Sequence, residues 1–372
     1  MMKSRSILVL CLFVLASGGC QKTSTPPGQS SPSPSGPVTA STARSTAKLT
    51  GGPWRVFVTN ESSGDVSVID GETHTVITTV PLGKRPRGIH PNHDGTKLFV
   101  ALSGSPLAPP GVDESKLPKA DKKADGIGIV DVANTSFEKL MAAGSDPEEF
   151  AVTSDGSKVY IANEDAGVAS MLDLASGRIT KSWPVGDEPE GVSIRPDGNV
   201  VYVTSEDNGT VTVIDTARQT VLKTFKVGRR PRVVAFLPDG SRAYVSLEND
   251  QALAVIDAVN HTLLNTVTVG RLGDRDVKPM GIAVHPDGKK IFVSTGRAGK
   301  VFAIDTASHT STGEVVVGPR PWGIAISPDG KLLYTANGPS NDVSVIDAST
   351  LEVLSRINVG NRPWGIAILK SK

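Results

Sequence analysis

The sequence predicts an all-β protein, a seven-bladed β-propeller with four-stranded antiparallel blades, and three observations support this prediction. Two β-type motifs each recur seven times from residue 54 onward. The aspartates that close the second motif are commonly spaced by 42 residues, as from Asp173 to Asp215 and from Asp215 to Asp257. An incomplete repeat at the start and another at the end add up to one whole repeat. A repeat in the forties with several β-runs is typical of propeller blades.

We name the strands of one repeat A, B, C and D in chain order. Strand A follows a glycine, two residues and a proline, as in GDEPEGVSIRPDG (186–198), and often ends in Pro-Asp-Gly. Strands B, C and D are illustrated by VYVTS (201–205), VTVID (211–215) and TVLKTFKV (220–227). Val, Ile and aromatic residues dominate B and C, as expected for strands packed between neighbouring sheets.

The split repeat predicts how the ring closes. Joining Lys372 to Trp54 aligns GIAILKSK-WRVFVTN with GIAISPDGKLLYTAN (323–337) without a gap. We therefore expect one composite blade that takes strand A from the end of the chain and strands B, C and D from the start of the repeats. Such closure removes free sheet edges, which promote aggregation.

Residues 1–20 predict a bacterial lipoprotein signal peptide. Lys3 and Arg5 precede an apolar run over 7–16, which is shorter than the roughly 20 residues of a membrane span. Small residues then lead to Cys20, the predicted lipidation site. Ser17 stands where such a signal usually has leucine, which leaves ordinary signal-peptide cleavage as the alternative.

The rest of the chain divides into a tether and the propeller. Residues 21–53 are rich in Ser, Thr, Pro and Gly and predict a flexible tether. The propeller spans 54–372 and contains no cysteine, which excludes disulfides and thiolate metal sites there. With 39 basic and 38 acidic residues, the charge gives no reason to expect a nucleic-acid partner. We expect a monomer in the cell envelope, held at the membrane only by its lipid and facing the periplasm or the exterior.

The strands ending in TN and ID resemble those of the YVTN-repeat β-propellers of bacterial and archaeal envelopes. The resemblance covers essentially all of 54–372 and implies the fold. It does not imply one function, because propellers host many unrelated activities. Related propellers include sugar-lactone hydrolases, haem-binding domains of periplasmic nitrite reductases, surface-layer proteins and accessory proteins of quinone-dependent dehydrogenases.

Two insertions are predicted on one face, which we call the top face. One lies within 103–125, between strands B and C, and a shorter one lies within 271–278, between D and A. In an antiparallel blade both connections are at the same end. The longer insertion is either a lid or partner-binding arm, or a solvated loop.

The residue after each D–A proline is the main candidate for a ligand site. In ring order these residues are Arg87, Glu148, Glu190, Arg232, Met280, Trp322 and Trp364. Strand A is nearest the axis, so they should surround the mouth of the central channel, with Arg87 beside Glu148 and Glu190 beside Arg232. A mouth with separated charges and two adjacent tryptophans suits a ligand that has both an apolar ring and charge. The alternative is a set of surface ion pairs capped by tryptophans.

Other candidates are weaker. The acidic turns NED (163–165), EDN (206–208) and END (248–250) are interpreted as turn-stabilising rather than as calcium sites. His90 is the one histidine expected near the channel, and a structural role is favoured for it.

The sequence carries no recognisable catalytic, metal or cofactor motif, so the cofactor is unknown. We therefore expect a non-catalytic binding or scaffold module for an unidentified protein or small molecule. The alternatives are a lactonase-like hydrolase with a channel-mouth metal, or a haem- or quinone-binding accessory of a periplasmic dehydrogenase.

Cys20→Ser should release the protein from membranes, because the attached acyl chains would supply the membrane affinity, at about 0.8 kcal/mol per buried CH₂. Metabolic labelling with a fatty-acid analogue, followed by fractionation, measures both effects. Ser17→Leu is the control and should keep the label. A wild-type protein that never takes up the analogue would show that Cys20 is not lipidated.

Overall fold

The computed structural model describes residues 52–107, 116–274 and 276–371. Within this part of the chain, 28 β-strands form seven four-stranded antiparallel sheets arranged as a ring. No helix among these residues is long and apolar enough to cross a bilayer. The predicted signal peptide, Cys20 and nearly all of the predicted tether lie outside the described residues.

Strands A and B occupy equivalent positions in every blade. Strand A begins at a proline in all seven: β4 Pro86–Pro91, β8 Pro147–Val152, β12 Pro189–Ile194, β16 Pro231–Phe236, β20 Pro279–Val284, β24 Pro321–Ile326 and β28 Pro363–Lys370. Strand B is almost fully buried: β1 Trp54–Asn60, β5 Lys97–Leu102, β9 Lys158–Asn163, β13 Val200–Ser205, β17 Arg242–Leu247, β21 Lys290–Thr295 and β25 Leu332–Asn337.

Strands C and D complete each blade. Strand C ends at an aspartate in all seven: β2 Asp65–Asp70, β6 Gly126–Asp131, β10 Val168–Asp173, β14 Thr210–Asp215, β18 Ala252–Asp257, β22 Lys300–Asp305 and β26 Asp342–Asp347. Strand D is the more exposed outer strand: β3 Val76–Pro81, β7 Ser136–Met141, β11 Arg178–Pro184, β15 Thr220–Lys226, β19 Thr262–Thr268, β23 Ser311–Val316 and β27 Val353–Asn358.

The predicted composite blade is confirmed. Strand β28 pairs antiparallel with β1, with Phe57 opposite Ala367 and Val56 opposite Ile368, and the sheet continues through β2 and β3. Beyond the paired strands, the backbone N–H of Ser371 donates to the carbonyl of Pro53 at 3.0 Å. The two ends of the repeat region therefore form one sheet.

The aspartate that closes strand C has a local structural role. Asp347 accepts backbone N–H groups from Ser349 and Thr350, both at 2.8 Å, and the hydroxyl of Ser349. These hydrogen bonds lower the pKa of Asp347 to about 2, because they stabilise the ionised carboxylate. A turn that needs these bonds in every blade explains why the same residue type repeats.

Neighbouring blades are joined by an aromatic residue in the middle of each strand B. These residues are Phe57, Phe99, Tyr160, Tyr202, Tyr244, Phe292 and Tyr334, and each is at most 5% exposed. The Tyr202 hydroxyl bonds Nδ1 of His261 at 2.7 Å, in the next blade. Burying one such ring contributes about 2 kcal/mol or more, and a buried phenol also needs a polar partner.

A hydroxyl in strand B of four blades links the inner strands of adjacent blades. The Thr204 hydroxyl accepts the N–H of Gly191 at 2.7 Å in its own blade and donates to the carbonyl of Arg232 at 2.8 Å in the next. The other three hydroxyls, which donate to the carbonyls of Arg87, Met280 and Trp322, belong to Thr59, Ser246 and Ser294. These bonds fix the backbone of residues at the channel mouth.

Deleting residues 361–372 should lower the free energy of unfolding by several kcal/mol, out of a typical total of about 5–15 kcal/mol. The deletion removes β28, so β1 loses its pairing partner and becomes a free edge. Denaturant unfolding followed by circular dichroism measures the loss. Deleting only 371–372 is the control and should cost far less. Equal stability of the 361–372 deletion and the full chain would contradict the ring closure described here.

Candidate functional site at the channel mouth

A left-handed residue precedes the strand-A proline in six blades. These residues have φ between 41° and 55° and are Arg85, Asp146, Glu188, Arg230, Arg320 and Arg362. Residues other than glycine rarely adopt this backbone conformation, which costs about 1 kcal/mol or more per residue. All six are charged, and all six line the cavity at the channel mouth. The same conformation recurs in six C–D turns on the opposite face, so it is a feature of the repeat and is not confined to the mouth.

The structure brings the seven predicted mouth residues to the top of the channel, one on each strand A. Five of them are buried, with exposures of 3–9%: Arg87, Glu148, Glu190, Arg232 and Met280. Trp322 and Trp364 are half-buried. The buried charges differ from the exposed loop ion pairs that the sequence offered as an alternative.

Arg87 is the centre of one charge cluster. Its guanidinium contacts the carboxylates of Asp146 and Glu148, and Glu164 lies 3.8 Å away. Burial opposes ionisation of Asp146, but the Arg87 charge outweighs it and the pKa of Asp146 is lowered. Burial raises the pKa of Glu164 to about 7, since the pull of Arg87 is only partial compensation.

Asp146, Glu148 and Glu164 also form the one group of acidic or histidine side chains in the described residues whose ligand atoms are close enough to share a metal ion, within 4.8 Å. Arg87 is 3% exposed and contacts two of the three carboxylates. The guanidinium thus already supplies the positive charge that a metal would bring. The cluster does not fit a metal ion with Arg87 in place.

Arg232 is the centre of a second cluster. Its Nη1 lies 3.0 Å from Glu190 and 2.5 Å from Glu206, and its Nε lies 2.9 Å from Glu248. Arg230 joins the same group through Glu206 at 2.7 Å and Glu248 at 3.0 Å. Three carboxyl groups therefore share two guanidinium groups.

The carboxyl groups around Arg232 differ in protonation. Burial, with the neighbouring Glu190 charge, raises the pKa of Glu206 to about 9. Burial opposes ionisation of Glu248 as well, but the charges of Arg232 and Arg230 are stronger and lower its pKa. At neutral pH Glu206 therefore carries a proton and can donate a hydrogen bond, while Glu248 is ionised.

The sequence interpretation missed a second ring of mouth residues, the first residue after strand B. In four blades this residue is a glutamate that contacts a mouth arginine: Glu61, Glu164, Glu206 and Glu248. The turn-stabilising interpretation of the acidic turns does not include these contacts of their glutamates with arginines. The signal was available, because the same residue type recurs at the same position after strand B.

Trp322 and Trp364 stack with ring centres 6.1 Å apart and planes 18° from parallel. The guanidinium groups of Arg232 and Arg320 lie 5.4 and 5.3 Å from the Trp322 ring. Cations at this distance from an indole are attracted by its ring electrons. This half of the mouth is therefore aromatic and positively charged.

The mouth opens into a vestibule of about 710 Å³, formed by the two charge clusters, the tryptophans and the described parts of the longer insertion. Leu107, Leu117 and Pro118 of the insertion line it. The insertion is attached to the mouth by Arg85, which donates to the carbonyl of Ser105 at 2.8 Å. The described parts of the insertion, 103–107 and 116–125, therefore contribute to one side of the vestibule.

Below the vestibule the channel continues as a smaller chamber of about 150 Å³. Its wall is mostly apolar, with Ile282, Ile324 and Met280 among the lining side chains. His90 and Glu149 are polar exceptions on this wall. Glu190, Arg232 and both mouth tryptophans line the vestibule and the chamber alike, so the two spaces adjoin.

Comparison with known families supports the seven-bladed propeller. The YNCE-like beta-propeller family matches residues 120–242, and the lactonase, 7-bladed beta-propeller family matches residues 220–354. Neither match covers half of the chain, so they do not assign it to one family. No curated protein is significantly similar in sequence.

Solved structures with similar folds come from several bacteria. Kuenenia stuttgartiensis hydrazine synthase is 21% identical with a TM-score of 0.68, and the match covers 80% of this chain and 92% of that one. A 6-phosphogluconolactonase candidate from Bacteroides uniformis is 18% identical, with a TM-score of 0.68 and coverages of 85% and 99%. A Lactobacillus plantarum protein is 17% identical, with a TM-score of 0.71 and coverages of 86% and 99%. At these identities the likeness shows the fold alone.

The raised pKa of Glu206 predicts that stability falls as pH rises. A carboxyl whose pKa is raised by folding stabilises the fold fully below its unfolded value, about 4.3, and this contribution is lost as pH approaches 9. The limiting slope for one group is about 1.4 kcal/mol per pH unit. Glu206→Gln should flatten this dependence, because glutamine stays neutral. Urea unfolding between pH 6 and 9 measures it.

Glu248→Gln is the matched control for Glu206→Gln, because both carboxyls contact Arg232. Glu248 has a lowered pKa, so its replacement should lower stability by a nearly constant amount across this pH range. If the wild type and Glu206→Gln showed parallel pH dependence, Glu206 would not hold the proton assigned to it.

Proposed function

We propose that the chain is a ligand-binding propeller whose vestibule takes a small acidic molecule with an apolar or ring-shaped part. The observation that carries this proposal is Arg320, a half-buried cation beside the stacked tryptophans. No carboxylate of the described residues lies within ion-pair distance of Arg320, whereas Arg87, Arg232 and Arg362 at the same mouth all form ion pairs.

The surroundings of Arg320 disfavour its own positive charge. Burial, together with the nearby charge of Arg362, lowers its pKa. A bound anion would relieve both effects, because it restores a counter-charge where water is scarce. A guanidinium also matches the paired oxygens of a carboxylate or phosphate group.

The aromatic surface supports the second part of the ligand. Trp322 and Trp364 are half-buried and line the vestibule and the chamber. Indole rings at this position offer an apolar face for a sugar ring, an aromatic ring or an alkyl chain.

Export and membrane attachment belong to the same proposal. The signal-like residues 1–20 with Cys20 and the tether-like residues 21–53 support an exported, lipid-anchored propeller of the YVTN-repeat type in the cell envelope. A protein partner at the top face is the alternative occupant of the mouth. No observation on the described residues favours a haem or quinone.

Hydrolysis of a lactone is the second candidate function. It is favoured by the lactonase family match over 220–354, which contains Arg232, Glu248, Met280 and Trp322, and by the 6-phosphogluconolactonase candidates among similar folds. The sequence analysis offers a lactonase-like hydrolase with a metal ion at the channel mouth. Since the carboxylate cluster around Arg87 does not fit a metal, a hydrolase here needs a base from the protein.

Arg320→Gln should weaken binding of an acidic ligand about tenfold or more, because charged hydrogen bonds contribute about 1.5–3 kcal/mol. Trp322→Ala with Trp364→Ala should cost at least about 2 kcal/mol of affinity. Calorimetric titration with 6-phosphogluconate and with 4-hydroxybenzoate measures both effects, with glucose as the uncharged reference.

Arg218→Gln is the matched control for Arg320→Gln. It removes the same charge from a C–D turn on the opposite face, where Arg218 pairs with Asp215 at 3.0 Å. The control should bind like the wild type. Binding that is unaffected by the Arg320 and tryptophan variants would exclude the vestibule as the ligand site.

A further inference from the structure

We propose that His90 and Glu149 form a general-base pair on the wall of the channel chamber and that the pair hydrolyses a cyclic ester. His90 Nε2 and Glu149 Oε1 are 2.5 Å apart, and both side chains line the chamber. They come from strands β4 and β8 of neighbouring blades. The inference rests on the proposed function, because the substrate enters through the same vestibule.

Both residues depart from the repeat at positions that otherwise hold small side chains. The third residue of strand A is Gly in five blades and Val233 in a sixth, whereas β8 has Glu149. The fifth residue is Ala in five blades and Ser193 in a sixth, whereas β4 has His90. His90 and Glu149 are both exceptions to the repeat, and they contact each other. Packing alone does not explain this, because small residues fill the same positions in the other blades.

The carboxylate of Glu149 packs against the backbone of the neighbouring blade. A Cβ atom built on Gly88 would lie 2.4 Å from Oε1 of Glu149. The Phe150 ring meets the His90 ring edge-on at 4.9 Å. These contacts hold the carboxylate and the imidazole in one relative orientation.

The hydrogen bond decides which nitrogen of His90 is the base. In the tautomer in which Nε2–H donates to the Glu149 carboxylate, the lone pair of the ring is on Nδ1. Among the described residues no hydrogen bond to Nδ1 is formed, and the side chain is 42% exposed. Nδ1 is therefore free to accept a proton from water in the chamber.

The reaction balances without a further reagent. His90 Nδ1 takes a proton from water as the water oxygen bonds to the ester carbonyl carbon, and the C=O electron pair moves to the carbonyl oxygen. The intermediate re-forms the carbonyl, the bond from carbon to the ring oxygen breaks, and the leaving oxygen takes the proton from His90. The product is a hydroxy acid.

The assignment gives the two residues different roles. His90 is the catalytic residue, because it exchanges the proton with the reacting atoms. Glu149 acts through His90 and is a positioning residue. Trp322 and Trp364 line the chamber together with His90 and Glu149, so they can contact the ring of the substrate, and binding and catalysis use different side chains.

The test uses the full-length chain and two probes, 6-phosphoglucono-1,5-lactone and uncharged glucono-1,5-lactone. Hydrolysis by the wild type should exceed the buffer rate, with the phosphorylated lactone preferred. His90→Ala should lower kcat by about 10²–10⁴-fold, the usual contribution of a general base. Added imidazole should restore part of the activity of this variant and leave the wild type unchanged, which loss of structure would not produce.

The second variant is Glu149→Gly, which should lower kcat less than His90→Ala does while KM stays similar. His90→Ala and Glu149→Gly each introduce the residue that the repeat uses at that position in most other blades, so misfolding is not expected from either variant. Calorimetric binding of 6-phosphogluconate should be unchanged in both. If the wild type binds 6-phosphogluconate but accelerates neither lactone, or if His90→Ala keeps full activity, the base pair is wrong and the binding function stands. Absence of binding in the wild type would instead remove the proposed function.

Discussion

Hydrogen bonds between inner strands of adjacent blades are the constraint on which the channel mouth depends. Each bridging hydroxyl, such as Thr204, accepts an N–H from its own strand A and donates to a carbonyl on the next. The register between strands A and B shifts between Pro189 and Val192, so the Thr204 hydroxyl satisfies a backbone N–H that the regular strand pairing leaves out. They fix the carbonyls of the mouth residues, and the attached side chains can then differ from blade to blade without disturbing the ring.

Charge at the mouth is balanced on one side and unbalanced on the other. Around Arg87 and Arg232, carboxyl groups outnumber guanidiniums, and the excess is compensated by the raised pKa values of Glu164 and Glu206. Around Trp322 and Arg320 the cations outnumber the carboxylates. A ring of equivalent positions thus produces a directional field across one opening, because each blade contributes a different charge.

Repetition is why the fold could be predicted from the sequence. Strand positions, the composite blade and the gathering of the mouth residues follow from a constant period and from closure. The contacts of Glu206 and His90 could not be predicted in that way. Glu206 lies in a turn whose usual function is local, and its contact with Arg232 depends on side-chain reach. His90 forms a hydrogen bond with Glu149 of the next blade. This contact depends on how strands β4 and β8 are offset along their length, which periodicity alone does not specify.

The composite blade also affects when the protein becomes functional. Strand β28 is the last strand of the ring to be synthesised, yet it pairs with β1, the first. Trp364 and Gly365 lie on β28, so one wall of the vestibule and chamber is missing until then. A chain that lacks β28 therefore has an incomplete vestibule and chamber. If the proposed ligand site is correct, a ligand would stabilise only chains whose synthesis is finished.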